Sequence, residues 1–195
     1  MNLDFYFPTP IWWTDLNIDN NFVLDYCYKK RKENPVGRQL SNRGGWQSEE
    51  LPIKDDLIEL TDRIMDSSVR TLDDYGFESN KTSIFFGNSW ININKGSDTN
   101  QIHTHHGSFL SGVYYVKANE NSGNIFFYRD FDQNFITTSY AKVTNHTSIS
   151  SGVVFYPPKT GRLIVFPSNL LHAVDSNRDD EDRISIAFNI GIKYD

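Results

Sequence analysis

Gln101-Ile102-His103-Thr104-His105-His106-Gly107-Ser108 runs directly into Phe109-Leu110-Ser111-Gly112-Val113-Tyr114-Tyr115-Val116. The second half is strand-like in composition, an apolar run rich in aromatic and β-branched residues. The first half places two imidazoles two residues apart, just ahead of that run. On an extended chain residues i and i+2 point to the same face, so His103 and His105 can aim at one point. Three of the five histidines of the chain lie in this stretch. A later one, His172, follows a second apolar run, Arg162–Phe166, and precedes Arg183 by eleven residues. Two close nitrogen ligands and a remote third make half an octahedron around a metal ion and leave its other positions open. His106 points away from the pair, and His146 sits in a polar loop and reads as solvated.

Outward from this stretch, the chain after residue 80 reads as β almost throughout. Short runs at Thr82–Phe86, Ser89–Asn94, Phe109–Val116, Asn124–Tyr128, Gly152–Tyr156, Arg162–Phe166 and Arg183–Lys193 alternate with turn signals such as Asn121-Ser122-Gly123 and Lys159-Thr160-Gly161. Seven or eight strands at this spacing predict a barrel or jelly roll. Before residue 80 the patterns are helical. Leu3 to Trp12 is expected to be extended, because Pro8 and Pro10 argue against a helix. Asp19 or Asn20 caps a helix carrying Phe22, Val23, Tyr26 and Cys27, which Pro35 and Gly37 end. Gln39 to Glu49 reads as a loop. Asp55 opens a second helix through Leu57, Leu60, Ile64, Ser68 and Leu72, with Gly76 as its stop. The expectation is one domain over 1–195: an N-terminal strand and bracing helices in 1–80, and a β core in 81–195.

The 195 residues are 38% hydrophobic and 14% aromatic, enough to bury a core without disulfides. The single cysteine, Cys27, has no internal partner and reads as an apolar helix position. A formal net charge of −6 argues against bulk attraction to nucleic acid or an anionic membrane. The basic run Lys29–Lys32 stops at Glu33 and reads as the solvated end of a helix. No run approaches the roughly 18–20 apolar residues of a spanning helix. The first residues lack the basic start of a secretory signal. The expected compartment is the cytoplasm.

Arg183 opens the run Arg183-Ile184-Ser185-Ile186-Ala187-Phe188-Asn189, and Ser185 shares its face. An inward guanidinium at a barrel mouth is costly unless it meets an anion. With a hydroxyl beside it, the fork suits a carboxylate. The alternative is a surface pair with Asp179, Asp180, Glu181 or Asp182 in the adjacent loop.

With these pieces in order, the chain resembles the iron(II)- and 2-oxoglutarate-dependent oxygenases, and more narrowly a small family found in marine bacteria and their phages. The resemblance rests on Phe7-Pro8-Thr9-Pro10-Ile11-Trp12, Gly45-Trp46-Gln47-Ser48, Trp90-Ile91-Asn92-Ile93, the His-x-His, Ser111-Gly112-Val113-Tyr114-Tyr115-Val116, Gly161–Ser168, His172 and Arg183–Asn189. It implies a mainly β fold with N-terminal helices, a double-stranded β-helix of the jelly-roll, cupin-like kind. It implies iron(II) at His103, His172 and one more ligand, 2-oxoglutarate chelating the metal, and dioxygen as oxidant. Arg183 would hold the distal carboxylate of the cosubstrate, with hydroxyls from Tyr115 and Ser185. Asn92 is a further pocket candidate. The implied reaction is hydroxylation of an unactivated C–H bond in a small-molecule or peptidyl substrate. A cytoplasmic site means the host cytoplasm if the protein is phage-encoded, and a homodimer is one open oligomeric state.

One departure stands out. The wider superfamily usually carries Asp or Glu where His105 stands. His105 is read as the third ligand; Asp130 or Asp132, or a vacant position, are the alternatives. Tyr114, Phe126 and Tyr128 are expected to line or support the pocket, and loops 39–51 and 130–150 to meet the substrate. Two other functions compete. A three-histidine cupin-type dioxygenase would need no 2-oxoglutarate and would hold a substrate carboxylate with Arg183. A non-catalytic β-sandwich used in binding or assembly would need neither His103 nor His172.

Overall fold

The computed structural model describes residues 1–4, 6–51, 55–78, 80–129 and 144–194. In chain order the elements are β1 (Trp12–Asp15), α1 (Asn20–Glu33), β2 (Asn42–Arg43), β3 (Trp46–Gln47), a 3-10 turn (Asp55–Leu57), α2 (Ile58–Tyr75), β4 (Thr82–Asn94), β5 (Thr99–His103), β6 (Leu110–Lys117), β7 (Ile125–Tyr128), β8 (Val153–Tyr156), β9 (Arg162–Pro167), β10 (His172–Val174) and β11 (Arg183–Tyr194). They form a six-stranded sheet in the order β1-β9-β6-β11-β4-β3 and a five-stranded sheet in the order β2-β5-β10-β7-β8. The paired strands are antiparallel throughout. From β4 onward the chain passes back and forth between the sheets, β4, β6, β9 and β11 in the larger and β5, β7, β8 and β10 in the smaller. This winding is the double-stranded β-helix.

The helices form where the sequence supplies caps. Asp19 precedes α1, and its side chain accepts from the Asn21 N–H at 3.0 Å. Gly76 closes α2 in the left-handed conformation, with its N–H on the carbonyls of Asp73 and Leu72. Both helices cover the outer face of the larger sheet. Val23, Tyr26 and Cys27 of α1 and Leu60 and Ile64 of α2 share a core with Ile91, Ile93, Tyr114, Val116, Ile184, Ile186 and Phe188. Buried side chains of this size each contribute about 1.5–3 kcal/mol. The opposite face of the same sheet builds a second core. Val113, Tyr115, Ile164 and Phe166 pack there with Ile125 and Phe127 of the smaller sheet. The site lies in this second layer, between the sheets.

Several elements differ from the sequence expectation. Thr82–Phe86 and Ser89–Asn94 are one continuous strand, because β11 pairs with β4 from Tyr194↔Thr82 to Arg183↔Asn94, with a register shift between Phe188 and Ile190. The expected loop 39–49 contains β2 and β3, each two residues long and attached to a sheet edge. Thr99–His103 is a strand the composition does not announce, being polar except for Ile102. The extended N-terminal run pairs only from Trp12, after the two prolines that lack N–H donors. Cys27 is fully buried, and burial pushes its thiol up to about 12. Among the described residues no helix is long and apolar enough to cross a membrane. Of the expected substrate loop 130–150, residues 130–143 lie outside the described residues, and with them Asp130 and Asp132.

Candidate active site

Cross-strand register brings the histidines together. His103 ends β5, His172 opens β10, and the two are paired residues in that ladder. His105 lies two residues past the end of β5, where its backbone N–H bonds the Ser168 carbonyl at 2.8 Å. The ring centroids of His103 and His172 are 4.3 Å apart, and His105 is 5.1 Å from each. One ligand atom from each of the three lies within 4.8 Å of the others. Three nitrogens about 2 Å from a shared ion on one face of an octahedron lie about 3 Å apart, so the rings would draw together by up to about 2 Å to share one ion. Among the described residues it is the only cluster of three or more metal-ligating side chains. His106 is exposed and bonds Thr104 Oγ1 at 3.1 Å, and His146 is exposed.

Each imidazole uses Nδ1 on an oxygen: His103 on the Gln101 carbonyl at 2.6 Å, His172 on the Leu170 carbonyl at 2.8 Å, and His105 on Asn189 Oδ1 at 2.7 Å. A carbonyl only accepts, so Nδ1 of His103 and of His172 carries the proton and Nε2 keeps its lone pair. Burial weighs against the cationic form of all three. It lowers His103 below the ordinary imidazole value, takes His105 down to about 4, and takes His172, crowded by the other two, down to about 3. At neutral pH the triad is therefore uncharged and open to a cation.

The same pocket also carries a buried cation and unpartnered polar groups. Ser185 of β11 faces Asn92 of β4 on one side and Tyr115 of β6 on the other, so the three form a row across adjacent strands. Arg183 lies two residues along β11 on the same face, and all four line the pocket with the triad. Arg183 is 1% exposed. Its Nη1 donates to the carbonyls of Ser122 and Asp175 at 2.5 and 2.9 Å. Among the described residues its Nη2 has no partner, nor do Tyr115 Oη and Asn92 Oδ1. Leaving such a group unpaired costs about 1–3 kcal/mol. Burial lowers the guanidinium pKa and pushes the Tyr115 phenol up to about 12, which keeps the phenol a donor. A carboxylate would satisfy Nη2 and Oη together. Asn92 Oδ1 is an acceptor and calls for a donor instead.

The loop acids lie elsewhere. Asp179 accepts from Asn119, Glu181 pairs with Lys117, and Asp182 accepts from Tyr28 and faces Arg31. Three aromatic expectations are corrected. Tyr114 is out of phase with Tyr115, points into the helix-side core, and donates to Asn20 Oδ1 at 2.6 Å. Phe126 and Tyr128 are out of phase with the pocket-lining Ile125; Phe126 packs on Phe155 instead. Sequence reasoning missed Trp90, whose ring stacks on His105 at 5.4 Å and 28°, and Asn189, which holds His105. Both were within reach of alternation: Trp90 shares the face of Asn92, and Asn189 that of Arg183 and Ser185.

A family model described as "Putative 2OG-Fe(II) oxygenase" matches residues 88–189, from β4 into β11. No curated protein matches the chain in sequence. Solved structures match in fold. A prolyl-4-hydroxylase from Pseudomonas putida superposes with a TM-score of 0.62 at 10% identity, covering 93% of this chain and 92% of its own. A prolyl hydroxylase from Trichoplax adhaerens, solved with a hypoxia inducible factor peptide fragment, gives 0.64 at 17%, covering 93% and 83%. HygX from Streptomyces hygroscopicus, solved with nickel and 2-oxoglutarate, gives 0.57 at 11%, covering 94% and 83%. At these identities the likeness carries the fold alone. The family match spans just over half of the chain and contains the triad, Arg183 and the row beside it, and on it the protein belongs to the 2OG-Fe(II) oxygenases, enzymes that use iron(II), 2-oxoglutarate and dioxygen.

Proposed function

We propose that His103, His105 and His172 hold the iron, that Arg183 with Tyr115 and Ser185 holds the distal carboxylate of 2-oxoglutarate, and that the reaction is hydroxylation of an unactivated C–H bond. One observation carries this reading. A single pocket is lined by three uncharged imidazoles and by a buried guanidinium and phenol whose Nη2 and Oη have no partner among the described residues. That donor set matches a divalent cation chelated by a dianion whose far end reaches the arginine. Family membership sets aside the non-catalytic sandwich and the dioxygenase that needs no 2-oxoglutarate.

Bound iron would let dioxygen act as the oxidant, one oxygen atom going into succinate as 2-oxoglutarate loses carbon dioxide and the other into the substrate's C–H bond. The chain supplies the rest. Arg183 lines the pocket and is fixed by the Ser122 and Asp175 carbonyls, so its unpartnered Nη2 needs no further ordering to meet a carboxylate. Tyr115, kept protonated by burial, donates rather than repels. Val113, Ile125, Phe166 and Val174 wall the pocket with apolar surface, which excludes water and strengthens every charge contact inside it. Asn92 offers an acceptor, and Trp90 an aromatic face beside His105, where a substrate would approach. The substrate class is a small molecule or a peptide, and cytoplasmic reducing conditions suit both iron(II) and the free Cys27.

The test is anaerobic addition of iron(II) to the metal-free protein, then of 2-oxoglutarate, followed by absorption. The chelate's charge-transfer band should appear with the wild type and be absent from His172→Ala. Iron-loaded wild type that develops no band at saturating 2-oxoglutarate would sink the proposal.

A further inference from the structure

Two of the three imidazoles are oriented by main-chain carbonyls, on Gln101 and Leu170, which no substitution removes. His105 alone is oriented by a side chain. Its Nδ1 meets Asn189 Oδ1 at 2.7 Å, across 84 residues of sequence. An amide could present either atom there, and the choice decides the chemistry. An oxygen requires Nδ1–H and leaves the lone pair on Nε2 for a metal; an NH2 would require a bare Nδ1 and place the proton on Nε2.

Asn189 is held so that oxygen faces His105. Ser111 Oγ donates to the same Oδ1 at 2.7 Å, and Asn189 Nδ2 donates to Asn88 Oδ1 at 2.9 Å. Ser111 is the residue paired with Asn189 across β6 and β11. Asn189 is 8% exposed and Ser111 fully buried, so water does not compete freely for these bonds. The inward face of β11 thus carries the anion anchor at Arg183 and, six residues on, the group that sets His105.

We infer that Asn189 is a positioning residue that makes His105 a metal ligand: it accepts the Nδ1–H and so presents Nε2 toward the space shared with His103 and His172. This rests on the iron-site reading above. It also explains how an imidazole serves at a position where the wider superfamily usually has a carboxylate. A carboxylate ligates in either orientation, whereas an imidazole ligates only in the right tautomer, so this chain needs a second residue there.

The test uses the full-length metal-free protein with 15N-labelled histidine. Long-range 1H–15N correlation spectra report which ring nitrogen carries the proton, independently of metal and activity. In the wild type all three histidines should be Nδ1–H. In Asn189→Ala, His103 and His172 should stay so while His105 moves to Nε2–H. Nickel(II) affinity should fall about 10- to 100-fold. Asn189→Asp keeps an oxygen acceptor and should restore both tautomer and affinity, which a merely structural role would not require. Wild-type His105 found as Nε2–H overturns the inference without any variant. So does an Asn189→Ala protein with unchanged tautomer and nickel affinity, or an Asn189→Asp protein as impaired as the alanine variant. Wild type that binds no nickel(II) overturns the iron-site reading itself, whatever the tautomer.

Discussion

The decisive residues are those the fold leaves unsatisfied. Tyr115 Oη and Arg183 Nη2 are buried donors with no acceptor among the described residues, an arrangement that destabilises the ligand-free protein. The two roles have opposite signs in one substitution. Tyr115→Phe removes an orphaned hydroxyl, so the metal- and cosubstrate-free protein should gain stability, on the order of 1 kcal/mol. The same change removes a donor to the cosubstrate, so 2-oxoglutarate affinity should drop about tenfold, a loss of about 1.4 kcal/mol. Thermal denaturation and titration of the charge-transfer band measure the two effects separately. A stability loss in the ligand-free variant would mean that the hydroxyl already has a partner. Arg183→Gln should weaken 2-oxoglutarate binding by at least about thirtyfold, since losing one side of a buried charge pair costs about 2–5 kcal/mol. Arg183→Lys should recover only part of it, because an ammonium lacks the planar fork that the Ser122 and Asp175 carbonyls hold in place.

At the level of elements, β6 shows why half of the site was legible and half was not. Period two put Arg183 and Ser185 on one face of β11, and the family resemblance, not the pattern, suggested Tyr115 and Asn92 beside them. Alternation does not say which face of β6 looks at the site, because Leu110 to Val116 are all buried. Both faces of the larger sheet are covered, by helices on one side and the smaller sheet on the other, so hydrophobicity cannot separate Tyr114 from Tyr115. The bond from Asn189 to His105 joins residues 84 apart, so the pairing itself has no local signature. The two-residue strands β2 and β3 are too short to show any period. Gly112 has a signature whose meaning only the packing reveals. A Cβ there would run into the Phe188 ring and lie 2.7 Å from the Ile164 carbonyl, which is backbone and cannot swing aside. At Gly191 the obstacle is the ring of Phe85, a half-exposed side chain. Gly112→Ala should therefore destabilise the protein by about 1–3 kcal/mol, as overpacking of a filled core does. Gly191→Ala should cost distinctly less. Urea denaturation of the two variants tests the ranking, and equal losses would contradict it.

For the whole molecule, the triad links stability to acidity. Unfolded histidines titrate near 6.5. In the folded state burial holds His103 below that value, His105 at about 4 and His172 at about 3. Below about pH 6.5 the unfolded chain therefore binds more protons than the native one, and stability declines as pH falls. For His105 and His172 the decline continues until pH reaches their folded values and then levels off. Above 6.5 all three are neutral in both states and contribute no slope. The carboxylates with lowered values, such as Asp15 beside Lys159 and Arg162, act in the same direction but only below about pH 5. The upper part of the interval from 6.5 to 4.5 thus reports the imidazoles. In it the melting temperature of the metal-free protein should fall steadily, and His172→Gln, which keeps a neutral polar side chain but cannot take up a proton, should fall less steeply. A bound metal changes the profile predictably, because it occupies the same lone pairs that protons seek. Saturating nickel(II) at one hundred times its dissociation constant should stabilise the protein by about 2.7 kcal/mol at pH 7.5. That gain should largely persist through the same interval, since His105 and His172 stay unprotonated in the folded chain, and should collapse only as pH approaches about 4, where protons begin to compete for their lone pairs. A metal-free protein whose stability is flat between pH 6.5 and 4.5 would mean that the three imidazoles are solvated rather than buried together, and the common pocket would go with them.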